Sequence, residues 1–264
     1  MKNLIFLDID GTILDGSRGM PDISDKTRYA VRQLQKNGDH VLIASGRCKG
    51  LLYKQVYDLQ PDGFILCNGA YGEFAGKEIY SCSFKEETLN RIKEVVDRYR
   101  GFYIFETLDR AYVESLNGAL FRSFANSWNI SPDFFSDDRI SEPILIAMIG
   151  FKDYADFPEV KKDIGEYADA VPHNGFSSFD INIKDVNKGT GVKKLLEYLD
   201  IPRENSYCFG DGANDLEMLK EVGNPVTMGN CDKALDAYGF EKTADVLDDG
   251  VYEYLVKHKL IKAL

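Results

Sequence analysis

The run Leu4-Ile5-Phe6-Leu7-Asp8-Ile9-Asp10-Gly11-Thr12 decides the fold. Its first four residues are apolar without alternation, which suits a strand buried on both faces, as in a parallel sheet. Two carboxylates follow at the carboxyl end of that strand. Gly11 lets the chain turn sharply after them. Residues i and i+2 of a strand point to one face, so Asp8 and Asp10 are expected to share it. Ligands of open α/β sheets bind outside the carboxyl ends of the strands. Alone, the pair fits two solvated loop acids as well as it fits a site.

Working outward, Ser24 reads as an N-cap, and Ala30, Val31 and Leu34 recur at helical spacing until Gly38 stops the helix. Val41-Leu42-Ile43-Ala44 is a second buried strand. A helix across 49–59 and the strand Phe64-Ile65-Leu66-Cys67 follow. This alternation predicts βαβ units on a doubly wound, Rossmann-like parallel sheet. The pattern changes near residue 82. Leu89, Ile92, Val95, Val96 and Tyr99 form one helical stripe. The runs Phe102–Phe105 and Ala111–Val113, a strand over Ile144–Ile149, a helix around 155–167 and two strands flanking His173-Asn174-Gly175 come after it. Paired strands predict an antiparallel sheet. Alternation resumes after 184, with a helix from Lys188, the strand Tyr207-Cys208-Phe209, a helix holding Leu216, Met218 and Leu219, and the strand Pro225–Met228. The expected organisation is an α/β core from residues 1–82 and 184–264, with an inserted α+β domain at 83–183.

The chain has 264 residues, 44% hydrophobic and 28% charged, with a net charge of −11. Such acidity argues against a nucleic-acid partner, whose footprint is a basic patch. A small anionic substrate stays open, because a pocket can be locally positive. The cysteines at 48, 67, 82, 208 and 231 form no CxxC pair, and an odd count does not read as a disulfide framework. Reduced thiols predict a cytoplasmic protein. His40, His173 and His258 lack metal-ligand spacing. The apolar start is too short for a signal segment or a membrane span. Asn129-Ile130-Ser131 matches a glycosylation sequon, which is without meaning in a cytoplasmic chain.

A second acidic cluster, Gly210-Asp211-Gly212-Ala213-Asn214-Asp215, follows another apolar strand. Asp211 is expected at the same sheet edge as Asp8, and two acidic clusters there would suit Mg²⁺. Gly210-x-Gly212 is not a dinucleotide fingerprint, because Asp215 stands where the third glycine belongs. Ser45-Gly46-Arg47 ends the second strand with a hydroxyl and backbone N–H groups, a modest anion cradle. Lys188 opens a helix, where its charge opposes the macrodipole unless an anion is bound nearby. Gly72–Lys77 is one residue short of a phosphate loop and reads better as a hairpin turn.

Together these motifs resemble the haloacid dehalogenase-like hydrolase superfamily, in particular its Cof-type phosphatases with a C2-type cap. The four motifs occur in order: Asp8-Ile9-Asp10-Gly11-Thr12, Ser45 in Ala44-Ser45-Gly46-Arg47, Lys188 in Asn187-Lys188-Gly189, and Gly210 to Asp215. Cys67-Asn68-Gly69-Ala70 and Met228-Gly229-Asn230 look like secondary signatures of the subclass. Ser45 stands where Thr is more usual and Cys231 where a small residue is typical.

The resemblance implies a Mg²⁺-dependent phosphatase of small phosphate monoesters, acting through an aspartyl phosphate. Asp8 would be the nucleophile and Asp10 the acid and base. Asp8, Asp211 and the backbone carbonyl of Asp10 would hold Mg²⁺, with Asp215 orienting its water shell. Ser45, Asn214, Lys188 and the N–H groups of Ile9 and Gly46 would hold the phosphoryl oxygens. The insert would cover the site and read the leaving group, with Arg47 and the loop at His173–Ser177 as candidate contacts; a plain hairpin turn is the favoured reading of His173-Asn174-Gly175. Two other readings are a phosphomutase of the same superfamily and a non-catalytic phospho-ligand binder. Neither the physiological substrate nor the oligomeric state is written in the sequence.

Overall fold

The computed structural model describes residues 2–127, 132–152, 157–173 and 177–264. The chain begins with β1 (Leu4–Leu7), α1 (Asp25–Asn37), β2 (His40–Ala44), α2 (Lys54–Asp58), β3 (Gly63–Leu66), β4 (Tyr71–Phe74) and β5 (Lys77–Ser81). Then come α3 (Glu86–Arg98), β6 (Phe102–Glu106), β7 (Ala111–Val113), α4 (Ala119–Ser127), β8 (Phe135–Ser136), β9 (Ile146–Gly150), α5 (Phe157–Ile164), β10 (Ala168–Pro172) and β11 (Ser178–Ile183). It closes with α6 (Lys188–Leu199), β12 (Ser206–Gly210), α7 (Leu216–Glu221), β13 (Asn224–Thr227), β14 (Glu241–Lys242) and α8 (Gly250–Lys257). Two compact units result. One comprises Met1–Gly46, Leu52–Tyr80 and Asn187–Leu264, the other Arg47–Leu51 and Ser81–Val186.

The first unit holds an eight-stranded sheet ordered β14-β13-β12-β1-β2-β3-β4-β5. The six strands from β14 to β3 run parallel, and β4 returns antiparallel to β3. Connections proceed one way from β1 to β3 and the other way from β12 to β14. The order reverses between β1 and β12, the topological switch point of a doubly wound sheet. All four residues of β1 are fully buried. Leu4 and Phe6 pack with Val192 and Leu195 of α6 and Met218 and Leu219 of α7. Alternation sends Ile5 and Leu7 to the opposite face. On that face the Phe209 ring meets Tyr254 of α8 edge-on at 5.2 Å. Each such apolar side chain contributes about 1.5–3 kcal/mol by leaving water.

Local signals place the ends of elements. The Ser24 side chain accepts from the Thr27 N–H, and Gly38 closes α1 at φ +89°. The turn between β4 and β5 holds Ala75 and Gly76 at φ +50° and +73°, so Gly72–Lys77 is a hairpin, as its composition suggests. The helix expected across 49–59 is shorter. A 3₁₀ turn covers Lys49–Leu51 and only Lys54–Asp58 is α-helical. The interruption falls where the chain passes between units: Gly50 donates to the Leu108 carbonyl, within the second unit.

The second unit has a six-stranded sheet ordered β10-β11-β9-β6-β7-β8. Its pairings are antiparallel except β7 with β8. Phe105, Ala147, Ile149, Phe179 and Ile181 form one face and pack on Ile92, Val95, Val160 and Ile164 from α3 and α5. Ile104, Val113 and Met148 pack with Phe121 and Ala125 of α4. An α/β core with a separate inserted α+β body is therefore the architecture. The expected turn at Asn174-Gly175 and the sequon at 129–131 lie outside the described residues. Among the described residues, no helix is long and apolar enough to cross a membrane.

Candidate active site

The registers of the sheet assemble the site before any side chain is considered. Leu7 pairs with Ile43 on one side and Phe209 on the other. Asp8 therefore leaves β1 level with the last residues of β2 and β12, and Ser45 and Asp211 follow at the same edge. The Asp8 N–H continues the ladder by donating to the Phe209 carbonyl at 3.1 Å. Ser45, itself buried, donates its N–H to the Ile65 carbonyl at 2.8 Å. This edge is the carboxyl end of the sheet at its switch point, where α/β folds bind ligands.

Lys188 forms the centre of the cluster. It is the first residue of α6, whose Asn187 cap forms a reciprocal pair with Thr190. Its side chain is fully buried, and Nζ donates to Asp8 Oδ1 at 2.6 Å and to Asp215 Oδ1 at 2.7 Å. The misplaced lysine thus has its anions, two carboxylates. Asp215 is also fully committed. Its second oxygen accepts the N–H groups of Asp211 and Gly212, each at 3.0 Å. Asp215 therefore shapes the loop that carries Asp211. Thr12 Oγ1 donates to Asp211 Oδ1 at 3.3 Å.

Asp8, Asp211 and Asp215 each place a carboxylate oxygen within 4.8 Å of the others. The second acid of the first motif behaves differently. β1 ends at Leu7. The N–H groups of Thr12, Ile13 and Leu14 then all donate to the Ile9 carbonyl, so the chain coils instead of staying extended. Strand alternation therefore does not carry to Asp10. Asp8 is buried while Asp10 is exposed, with the Tyr53 hydroxyl 3.5 Å from its Oδ1. Ile9 is buried, Gly46 half-buried and Asn214 exposed in the turn Ala213–Asp215.

The electrostatics follow from crowding. Burial, with Asp215 and Asp211 adding like charge, lifts the Asp8 carboxyl well above its usual range against the pull of Lys188. Burial and Asp215 push Asp211 up to about 7. Burial would lower Lys188, but Asp215 and Asp8 outweigh it and hold the ammonium above its ordinary value. When ionised, the three carboxylates outnumber the one ammonium, and this pocket of hard oxygen donors fits a small divalent cation.

The secondary signature Cys67-Asn68-Gly69-Ala70 begins with the turn Cys67–Gly69. Its three residues have φ of +53°, +49° and +97°. The Asn68 N–H donates to the Ser45 carbonyl at 3.2 Å. A Cβ on Gly69 would stand 2.0 Å from the Asn187 carbonyl oxygen. The turn is thus fitted between the Ser45 loop and the start of α6.

Within the second unit, another polar group surrounds Glu106. Burial and Asp180 push its carboxyl up to about 7, opposed by a Cys48 hydrogen bond, Arg47 and His173. His173 shares hydrogen bonds with Ser178 Oγ at 2.8 Å and Asp180 Oδ1 at 2.9 Å.

Comparison with known proteins gives the class. Residues 5–255 match the family described as haloacid dehalogenase-like hydrolase. The chain is 32% identical to YkrA of Bacillus subtilis, with 97% of each chain covered. It is 26% identical to the 5-amino-6-(5-phospho-D-ribitylamino)uracil phosphatase YitU of the same organism, again covering 97% of each. The structure of BT1666, a phosphatase of this superfamily from Bacteroides thetaiotaomicron, superposes with a TM-score of 0.85 at 21% identity, covering 99% of this chain and 96% of that one. The chain belongs to the haloacid dehalogenase-like hydrolases, of the Cof type with a C2-type cap. It is a phosphatase, acting on small phosphorylated metabolites.

Phosphatases of this superfamily use Mg²⁺, and the carboxylate cluster fits it. Mg²⁺ should therefore stabilise the protein in a pH-dependent way. An Asp211 pKa of about 7 lies above the ordinary value of 3.8. The folded metal-free protein thus holds that proton more tightly than the unfolded chain. The linked stability is present at low pH and is lost as pH rises from about 4 through 7. Mg²⁺ replaces the lost compensation at high pH and competes with the proton at low pH. At a hundred times its dissociation constant it adds about 2.7 kcal/mol. A melting-temperature rise of about 5 °C or more is expected at pH 8, and a clearly smaller one at pH 5. Thermal scans with and without Mg²⁺ at the two pH values check this.

Proposed function

We propose that the chain hydrolyses phosphate monoesters in two in-line steps through an aspartyl phosphate on Asp8. The observation that carries this reading is the buried Lys188 held between Asp8 and Asp215 beside Asp211, at the switch point of the sheet. In the first step Asp8 Oδ attacks phosphorus and the bond to the leaving oxygen breaks. Asp10, carrying a proton, gives it to that oxygen. In the second step Asp10, now a carboxylate, takes a proton from water. The water oxygen bonds to phosphorus, the phosphorus–Asp8 bond breaks, and inorganic phosphate leaves. Exposure of Asp10 suits both transfers, because it can meet a leaving group and then a water.

Lys188 favours the ionised form of Asp8 against burial and orients its carboxylate. Ser45, Asn214, Lys188 and the N–H groups of Ile9 and Gly46 are assigned to the phosphoryl oxygens. Asp8, Asp211 and the Asp10 carbonyl are assigned to Mg²⁺, with Asp215 ordering its surroundings. When bound, Mg²⁺ offsets the repulsion between Asp8 and the dianionic ester and polarises the phosphoryl group. The assigned domains are 1–82 with 184–264 for catalysis and 83–183 as the cap, in a cytoplasmic protein. YitU is named for a phosphorylated ribityl compound, so phosphorylated polyols and sugars head the substrate panel.

The test is trapping. Asp10→Ala is expected to accumulate acid-stable labelled phosphate on the protein, with dephosphorylation slowed at least about 10²-fold. Unchanged dephosphorylation would remove Asp10 from the second step.

A further inference from the structure

Met228-Gly229-Asn230 stands out in the sequence, and the chemistry above leaves it unused. We propose that Asn230 is a positioning residue for Asp10, acting through the Gly11 peptide. The proposal rests on the acid–base reading of Asp10 given above.

Gly11 directly follows Asp10 and adopts φ +81°. Its N–H donates to the Leu14 carbonyl at 2.8 Å, which fixes the peptide on the Asp10 side. Its carbonyl accepts from Asn230 Nδ2 at 2.8 Å, which fixes the peptide on the Thr12 side. Asn230 Oδ1 in turn accepts the Val246 N–H at 2.9 Å. The amide of Asn230 thus ties the acid-bearing turn to the start of the short helix Val246–Asp248. The same loop grips the metal-side acid as well, since the Asp232 N–H donates to the Asp211 carbonyl at 2.8 Å. A Cβ on Gly11 would stand 2.2 Å from Asp211 Oδ2, so the Gly11 backbone lies directly against that carboxylate. The loop after β13 therefore holds Asp10 and Asp211 in register.

The exposure of Asp10 gives the contact its weight. Asp10 is exposed where Asp8 is buried, with the Tyr53 hydroxyl 3.5 Å from its Oδ1, and the turn that carries its backbone sets where that side chain starts from. General acid catalysis needs that aim only when the leaving oxygen needs a proton. A shift of about 1 Å in a reacting group is enough to lower a rate about 10²-fold.

The experiment compares kcat/KM for 4-nitrophenyl phosphate, whose leaving group departs without a proton, with kcat/KM for an alkyl phosphate that the wild type turns over. Asn230→Asp keeps the shape and the acceptor for the Val246 N–H but sets an oxygen against the Gly11 carbonyl. Asn230→Ala removes both bonds. Both variants are expected to lose about tenfold or more on the alkyl ester and to stay within about twofold on the aryl ester. Equal losses on the two esters, or none on either, would overturn the proposal. A fall in melting temperature with equal losses would make Asn230 a structural brace only, which also overturns it. Asp10→Ala runs beside them. If it lacks the alkyl–aryl asymmetry, the acid–base reading fails and the proposal falls with it. If it shows the asymmetry and the Asn230 variants do not, the positioning proposal alone fails.

Discussion

Asp8→Asn is expected to lower Mg²⁺-dependent phosphate release about 10⁴-fold or more while leaving the fold intact. The amide has nearly the same shape, and its oxygen still accepts from Lys188 Nζ. It offers no anionic oxygen to phosphorus. The fold should not suffer, because burial already disfavours a charge at this position and lifts the carboxyl well above its usual range. A neutral amide removes one of three crowded like charges, so the metal-free melting temperature should hold or rise. Phosphate release from 4-nitrophenyl phosphate and a panel of metabolite phosphates measures the loss. Wild-type turnover in this variant would sink the nucleophile assignment.

Lys188→Ala should be the most destabilising single change at the site. Lys188 is fully buried, and its two carboxylate partners have side chains that are 10% and 0% exposed. Removing one partner of a buried ion pair leaves uncompensated charge and costs about 3–5 kcal/mol. Here two carboxylates lose their counter-ion, so the upper end is expected at pH 8. The penalty should shrink toward pH 5, because the raised Asp8 and Asp211 carboxyls favour their protonated forms in the folded state and less charge is stranded. Mg²⁺ should restore part of the stability without restoring turnover. Urea unfolding at the two pH values, with and without Mg²⁺, reads this out. A loss below about 1 kcal/mol at pH 8 would mean that water, not Lys188, compensates the carboxylates.

Much of this arrangement was legible in the sequence, for physical reasons that differ from residue to residue. Leu4–Leu7, Val41–Ala44 and Tyr207–Phe209 are apolar on both faces, and only a sheet covered on both sides accommodates them. Asp8 and Asp211 follow such strands directly, so their meeting at one edge needed no further information. Lys188 was flagged by a charge conflict with its own helix. The conflict is resolved by Asp8 and Asp215, which lie 180 and 27 residues away in sequence. The separate surroundings of Asp8 and Asp10 were not legible. They depend on the coil that gathers three N–H groups on the Ile9 carbonyl, and i, i+2 spacing does not encode that. Short elements were also hidden. β8 and β14 have two residues each, too few for a period. The interruption of the 49–59 helix depends on packing with residues some 60 positions ahead, to which a local window is blind.

The pairing of β1 with β12 has a temporal consequence. Leu4 pairs with Ser206 and Leu7 with Phe209. The most buried strand of the sheet is therefore among the first to be synthesised and among the last to be completed. At typical rates of about 5–20 residues per second, about 10–40 s separate the two on the ribosome. Through that interval one edge of an apolar strand waits without its neighbour, the condition under which nascent chains pair with the wrong partner. Residues 81–186 form most of a separate unit in the meantime. The inserted body can thus mature first, as a folded bead on an unfinished thread, and translation speed near residue 206 would govern how much chain reaches the native sheet.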